Sequence, residues 1–235
     1  MATSKELGLN NNQLKLLAMF FMLLDHIGVQ LFPGCIVLRI VGRIAFPIFA
    51  YMIAEGCFYT KNRGKYLGMI AALAVGCQLV YYFAMGSLYQ SVLITFTLSI
   101  LVIFAVDFFI KKRTFGRGCL MAVAILGVMF AAVVAPILWK SQGFQIDYGI
   151  LGVMLPIAVY YMPNKAWKIT AVAALLSIRA AIYGEIGWFA LAAVPLLALY
   201  NGQRGKYRLK YLFYIFYPTH LVAIYVISLL MSGRL

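Results

Sequence analysis

Acidic residues are scarce in this chain: six Asp and Glu in 235 residues, against 20 Lys and Arg. Charged residues of both signs make up 11%, less than half the roughly 25% of an ordinary soluble domain. Water is therefore excluded as the main solvent of its surface. The four cysteines, Cys35, Cys57, Cys77 and Cys119, form no CxxC pair and no Cys/His cluster. That excludes a disulfide framework and a zinc centre, and the four read as small buried hydrophobes; no metal is expected. A Walker A loop and a dinucleotide fingerprint are absent, as is a serine elbow of the GxSxG type. The polar N-terminus MATSKELGLNNNQ has no apolar h-region or small-residue cleavage site, so it is expected to be retained. No internal repeat or low-complexity stretch is visible.

What is present is apolar. Hydrophobic residues make up 65% of the chain, and its mean hydropathy is +0.94. Long unbroken apolar runs without alternation exclude a β-barrel and predict an all-α, polytopic integral membrane protein. At ~20 residues per crossing, the pattern predicts about nine helices, over residues 13–32, 36–59, 66–85, 90–110, 118–138, 146–162, 167–183, 186–200 and 211–230. This leaves no room for a soluble domain, so 1–235 is read as a single transmembrane domain.

The net charge of +14 would suggest nucleic acid in a soluble protein. Here topology accounts for it, and no nucleic acid is expected. Lys61, Arg63 and Lys65 follow the second predicted helix. Lys111, Lys112, Arg113 and Arg117 follow the fourth. Lys165 and Lys168 follow the sixth, and Arg204, Lys206, Arg208 and Lys210 the eighth; the other side has only Lys140 and Arg234. The positive-inside rule puts the N-terminus and these basic loops in the cytoplasm and the C-terminus outside.

The first two predicted helices form a hairpin about Pro33-Gly34, and the chain places Lys15, Asp25, His26, Arg39, Arg43 and Glu55 in it. A charge at membrane depth costs about 2.5–3.5 kcal/mol, so these groups need partners and mark a candidate site. Lys15 and His26 are eleven residues apart, which puts them within roughly 20° of one helix face and about 16 Å apart along it. Arg39 and Arg43, at i and i+4, share a face of the second helix. If that face meets the first helix, Arg43 reaches Asp25. Asp25 lies about 100° from His26 and cannot share its outlook. An interhelical ion pair for Asp25 and Arg43, a snorkelling Lys15 and a merely hydrogen-bonded His26 are the structural alternatives.

The last predicted helix carries a second focus, KYLFYIFYPTHL, with Tyr217, Pro218 and His220, the other of only two histidines. Pro218 frees a backbone carbonyl at membrane depth. Asp147-Tyr148-Gly149 stands at the start of the sixth helix, where Asp147 reads as a cap or as part of a cavity. Arg179, deep in the seventh helix, is a candidate partner for Glu185. Histidine suits general-base work. Guanidinium groups suit an oxyanion, a carboxylate or a phosphate. These residues allow group transfer from a cytoplasmic phosphorylated donor to an acceptor at or across the membrane. They equally allow a proton-coupled transporter of a small anionic solute, and a non-catalytic assembly factor is a third reading.

The segments LKLLAMFFMLLDHIG, GRIAFPIFAYMIAEG, IDYGILGVM and KYLFYIFYPTHL resemble, in order and over nearly the whole chain, the motifs of the TraX family. Its founding member is implicated in N-terminal acetylation of the F-pilin subunit. Lys15-x10-His26 also resembles the R/K-x10-H signature of the transmembrane acyltransferase superfamily. This chain has Lys where Arg is commoner, and it has no appended soluble domain. The resemblance implies a multi-pass protein of the bacterial cytoplasmic membrane that uses acetyl-CoA or another acyl-CoA. It implies a peptide N-terminus, an amino sugar or another amine or hydroxyl as acceptor. His26 would be the base, or would itself become transiently acylated, with Asp25 and Arg43 beside it. Lys15, Arg39, Lys61, Arg63, Lys65, Lys111 and Lys112 would hold CoA. Glu55, Asp147, Tyr148, Arg179, Tyr217 and His220 would line the substrate cavity.

Overall fold

The computed structural model describes residues 8–207 and 209–232. Arg208, Arg234 and the side chains of Glu185 and Lys210, invoked above, lie outside the described residues. The helices are α1 (Asn11–Gln30), α2 (Ile36–Gly42), α3 (Ala45–Tyr59), α4 (Arg63–Met85), α5 (Val92–Lys111), α6 (Phe115–Met129), α7 (Ala135–Leu138), α8 (Gly149–Tyr161), α9 (Lys165–Tyr183), α10 (Ala193–Ala198) and α11 (Lys210–Met231). Two-residue strands, β1 (Tyr89–Gln90) and β2 (Gln145–Ile146), pair in parallel. Six segments are long and apolar enough to cross a membrane: Ile36–Tyr59, Arg63–Phe83, Val92–Lys111, Phe115–Leu138, Lys165–Tyr183 and Leu212–Met231. Large apolar side chains such as Phe83, Phe115 and Ile137 point outward, as in a protein dissolved in lipid.

Caps and prolines set the helix limits more sharply than hydropathy does. Asn10, Asn62 and Asn164 accept the N–H of Gln13, Lys65 and Trp167, so α1, α4 and α9 begin two or three residues before their apolar runs. The predicted helix over 36–59 is broken at Arg43–Ile44. Pro47 lies one turn later; it has no N–H for the Arg43 carbonyl, and its ring crowds that carbonyl. Pro136 follows a widened turn at Phe130–Val134 in the same way. The predicted helix over 186–200 is a tight 3₁₀ segment, Glu185–Ala192, before the short α10. Gly187 of that segment lies so close to α9 that a Cβ would come 3.1 Å from the Ala180 Cα. The cysteines divide: Cys57 and Cys77 are buried, whereas Cys35 and Cys119 are exposed. Cys35 falls at the turn before α2 and Cys119 in the first turns of α6, where no neighbour covers them.

The chain divides into two compact units, one formed by 1–52 with 164–235 and the other by 53–163. In the first, α1 packs against α2 and α11, and α9 against the 3₁₀ segment. Two glycines let the α1–α2 hairpin close. A Cβ on Gly28 would lie 2.8 Å from that of Leu38, and one on Gly42 would lie 2.7 Å from the Asp25 Cα. Gly42→Ala is expected to lower stability by about 1–3 kcal/mol through overpacking. Gly34→Ala, where no atom lies within 4 Å of the added Cβ, should be nearly neutral; thermal unfolding in detergent compares the two.

In the second unit, α5 packs against α4, α6 and α8. Ile146 and Val153 join Val102, Val128 and Ala132 in its apolar core. Ser99 is buried in that packing, and its hydroxyl faces α8. Its hydroxyl lies 2.9 Å from the Val153 carbonyl and 3.0 Å from that of Thr95.

Candidate functional site

Adjacent residues on a helix look in different directions, and Asp25 and His26 show it. Asp25 faces α2. Its Oδ1 accepts from Arg39 Nε at 3.1 Å and lies 3.5 Å from Arg43 Nη2. The i, i+4 spacing puts both guanidinium groups on the face that meets α1. Two guanidinium groups thus share one carboxylate beside the histidine. Asp25 and Arg43 are mostly buried, whereas the Arg39 side chain is 33% exposed.

His26 faces α11. Its Nδ1 lies 2.7 Å from Nε2 of His220. The ring planes differ by 12° and the centroids are 5.0 Å apart. That separation is the N···N distance plus the two ring radii, so the imidazoles meet edge to edge in one plane, as a hydrogen bond requires. His26 is half-buried; His220 and Tyr217 are buried. Phe216 stacks on the His220 ring at 4.7 Å, and Tyr217 meets it edge-on at 5.6 Å. After Pro218, the next two side chains fold back onto carbonyls one turn earlier. The Thr219 hydroxyl donates to Ile215 at 2.8 Å, and His220 Nδ1 lies 2.7 Å from the Phe216 carbonyl.

Lys15 also meets α11: its Nζ lies 5.2 Å from the centre of the Phe213 ring, in cation–π range. Lys15 and His26 thus share a face of α1, as their spacing predicts. Their partners Phe213 and His220 come in the same order along α11, so α1 and α11 run parallel.

The structure therefore gathers Asp25, His26, Arg39, Arg43, Tyr217 and His220, with Lys15 further along the same helix face. Arg179 lies on α9 with its guanidinium 5.3 Å from the Tyr183 ring. The remaining candidates, Glu55, Lys61, Arg63, Lys65, Lys111, Lys112, Asp147 and Tyr148, belong to the second unit. There, Asp147 does not cap α8. Tyr148 takes the cap position with a left-handed φ of 62°, and the Asp147 carboxylate instead accepts the Tyr89 hydroxyl at 2.7 Å. Arg63 is held by Asp107, which also accepts the hydroxyls of Tyr160 at 2.6 Å and Tyr161 at 3.1 Å. Asp107 is missing from the sequence reading. Its signal was a lone carboxylate inside an apolar run, one helical turn before Lys111. Among the described residues no cluster of His, Cys, Asp or Glu could hold a metal.

The sequence model of the TraX protein family matches residues 10–228, which takes in every side chain of the α1–α2–α11 cluster. The chain belongs to the TraX family. Within curated sequences it is similar to the probable fimbrial assembly protein FimC, serogroup H1, of Dichelobacter nodosus. The two are 26% identical, over 99% of this chain and 98% of that protein. It is also similar to the uncharacterized protein RP591 of Rickettsia prowazekii (strain Madrid E), at 27% identity over 61% of this chain and 52% of that protein. No solved structure matches, so the geometry of this TraX protein rests on its own chain.

Proposed function

We propose that this TraX protein is a membrane acyltransferase of the transmembrane acyltransferase type. It would move an acetyl or other acyl group from cytoplasmic CoA to an amine or hydroxyl at or across the membrane. The observation that carries the reading is the half-buried His26, anchored through Nδ1 to His220 and flanked by the Asp25–Arg39–Arg43 cluster. His26 takes the proton from the acceptor's N–H or O–H as the acceptor attacks the thioester carbonyl. The tetrahedral oxyanion draws on the guanidinium groups of Arg39 and Arg43. Collapse expels the CoA thiolate, which leaves with the proton held on His26. Lys15, at the far end of the same face, meets the CoA phosphates with its point charge.

This reading takes nine crossings with a cytoplasmic N-terminus, in a bacterial cytoplasmic membrane. The six long spans, the polar α1 and the two shorter segments Gly149–Tyr161 and Ile186–Ala198 make up that count. The parallel run of α1 and α11 supports an odd total, because an even one would set the first and last helices antiparallel.

The test is thermal stability in detergent. CoA at 100 times its dissociation constant adds about 2.7 kcal/mol, an upward Tm shift of roughly 5–10 °C for a chain of this length. Lys15→Ala should reduce the shift. An unmoved Tm in folded protein removes the acyl-CoA reading and turns attention to transport. The name of the Dichelobacter relative favours a second reading, a fimbrial assembly factor without catalysis. In that case His26→Ala leaves assembly intact.

A further inference from the structure

We propose that His220 is the positioning residue of this site: it fixes which nitrogen of His26 is basic. The inference rests on the acyltransferase reading for its consequence, but its geometry stands alone.

A backbone carbonyl only accepts hydrogen bonds. The Phe216 carbonyl lies 2.7 Å from Nδ1 of His220, so in the neutral ring that nitrogen carries the hydrogen. Nε2 of His220 is then a lone pair and can only accept. Nδ1 of His26 lies 2.7 Å from it, so Nδ1 of His26 carries a hydrogen in turn. The remaining nitrogen, Nε2 of His26, is left with its lone pair outward from the pair. Three groups thus form one directed chain, from His26 through His220 to the Phe216 carbonyl. The chain selects the Nδ1–H form of both rings.

The selection has a chemical purpose. When the acceptor gives its proton to Nε2, His26 becomes an imidazolium that still donates from Nδ1 to His220. The hydrogen bond is then charge-assisted and stronger, so it stabilises the protonated form as it appears. Buried packing of the His220 ring against Phe216 and Tyr217 holds the acceptor atom in place.

The chain has only two histidines, so nitrogen-15 NMR of histidine-labelled protein in detergent sees these two rings alone. Both are expected as the Nδ1–H tautomer. In His220→Leu the His26 ring should lose that preference. An Nε2–H form of His26 in the wild type overturns the proposal whatever the enzyme does.

The kinetic arm uses acetyl-CoA and a primary-amine peptide as acceptor. His220→Leu should lower kcat by about 10²–10⁴-fold with KM little changed. His220→Gln places an amide oxygen near the lost Nε2 and should recover at least about tenfold of the loss. Equal losses in Leu and Gln variants that fold and bind CoA overturn the positioning role. A wild type that neither transfers acyl groups nor binds CoA overturns the proposed function instead, while the tautomer result is still decided.

Discussion

His26→Ala is expected to lower acyl transfer by about 10²–10⁴-fold while CoA still raises the melting temperature. On the proposed reading the base is lost, but Lys15, which would meet the CoA phosphates, lies about 16 Å away along α1. Alanine also leaves Nε2 of buried His220 without its donor, which costs about 1–3 kcal/mol of stability. His26→Asn separates the two effects. Its side-chain amide sits where Nδ1 was and can still donate to His220, but nothing replaces Nε2. Asn should therefore restore stability and leave transfer as slow as in the alanine variant. Full activity in either variant removes His26 from the chemistry.

Asp25→Ala is expected to be the most destabilising single change in the first unit. It leaves Arg39 and Arg43 without the carboxylate they share. Breaking a buried pair costs about 3–5 kcal/mol. Arg39 is a third exposed and can turn away, so the loss should fall near about 3 kcal/mol; Tm and denaturant unfolding in detergent measure it. Replacing all three charges, as Asp25→Leu with Arg39→Met and Arg43→Met, should recover most of that stability, because apolar side chains of similar volume often pack as well as a buried ion pair. Acyl transfer should not recover, since the positive charge beside His26 is gone. A triple variant that is both stable and active would reduce the cluster to a structural fastening.

Local periodicity made the α1–α2 hairpin legible. The spacing of Lys15 and His26 gave their shared face, and the i, i+4 arginines gave a partner for Asp25. Arg39, closer to Asp25 than Arg43 is, was equally available from that spacing. The break at Arg43–Ile44 was readable from Pro47, but an unbroken apolar run hid it. The start of α8 was harder: Tyr148 adopts a left-handed backbone that a bulky residue seldom takes. Asp107 was not legible because its partner Arg63 lies 44 positions earlier, on α4, and nothing local couples the two. The contact between His26 and His220 spans 194 positions, and nothing local in a single sequence couples residues so far apart.

That separation also fixes an order of events during biogenesis. A chain is made and inserted from its N-terminus, at ~5–20 residues per second. His26 therefore waits about 10–40 s for the ribosome to deliver its partner, since the two are 194 positions apart. Until α11 inserts, α1 holds a polar ring in lipid without its hydrogen-bond partner. Every product that stops before His220 lacks the histidine pair. The site can assemble only once α11 has been delivered, so synthesis of that helix is itself the switch that turns it on.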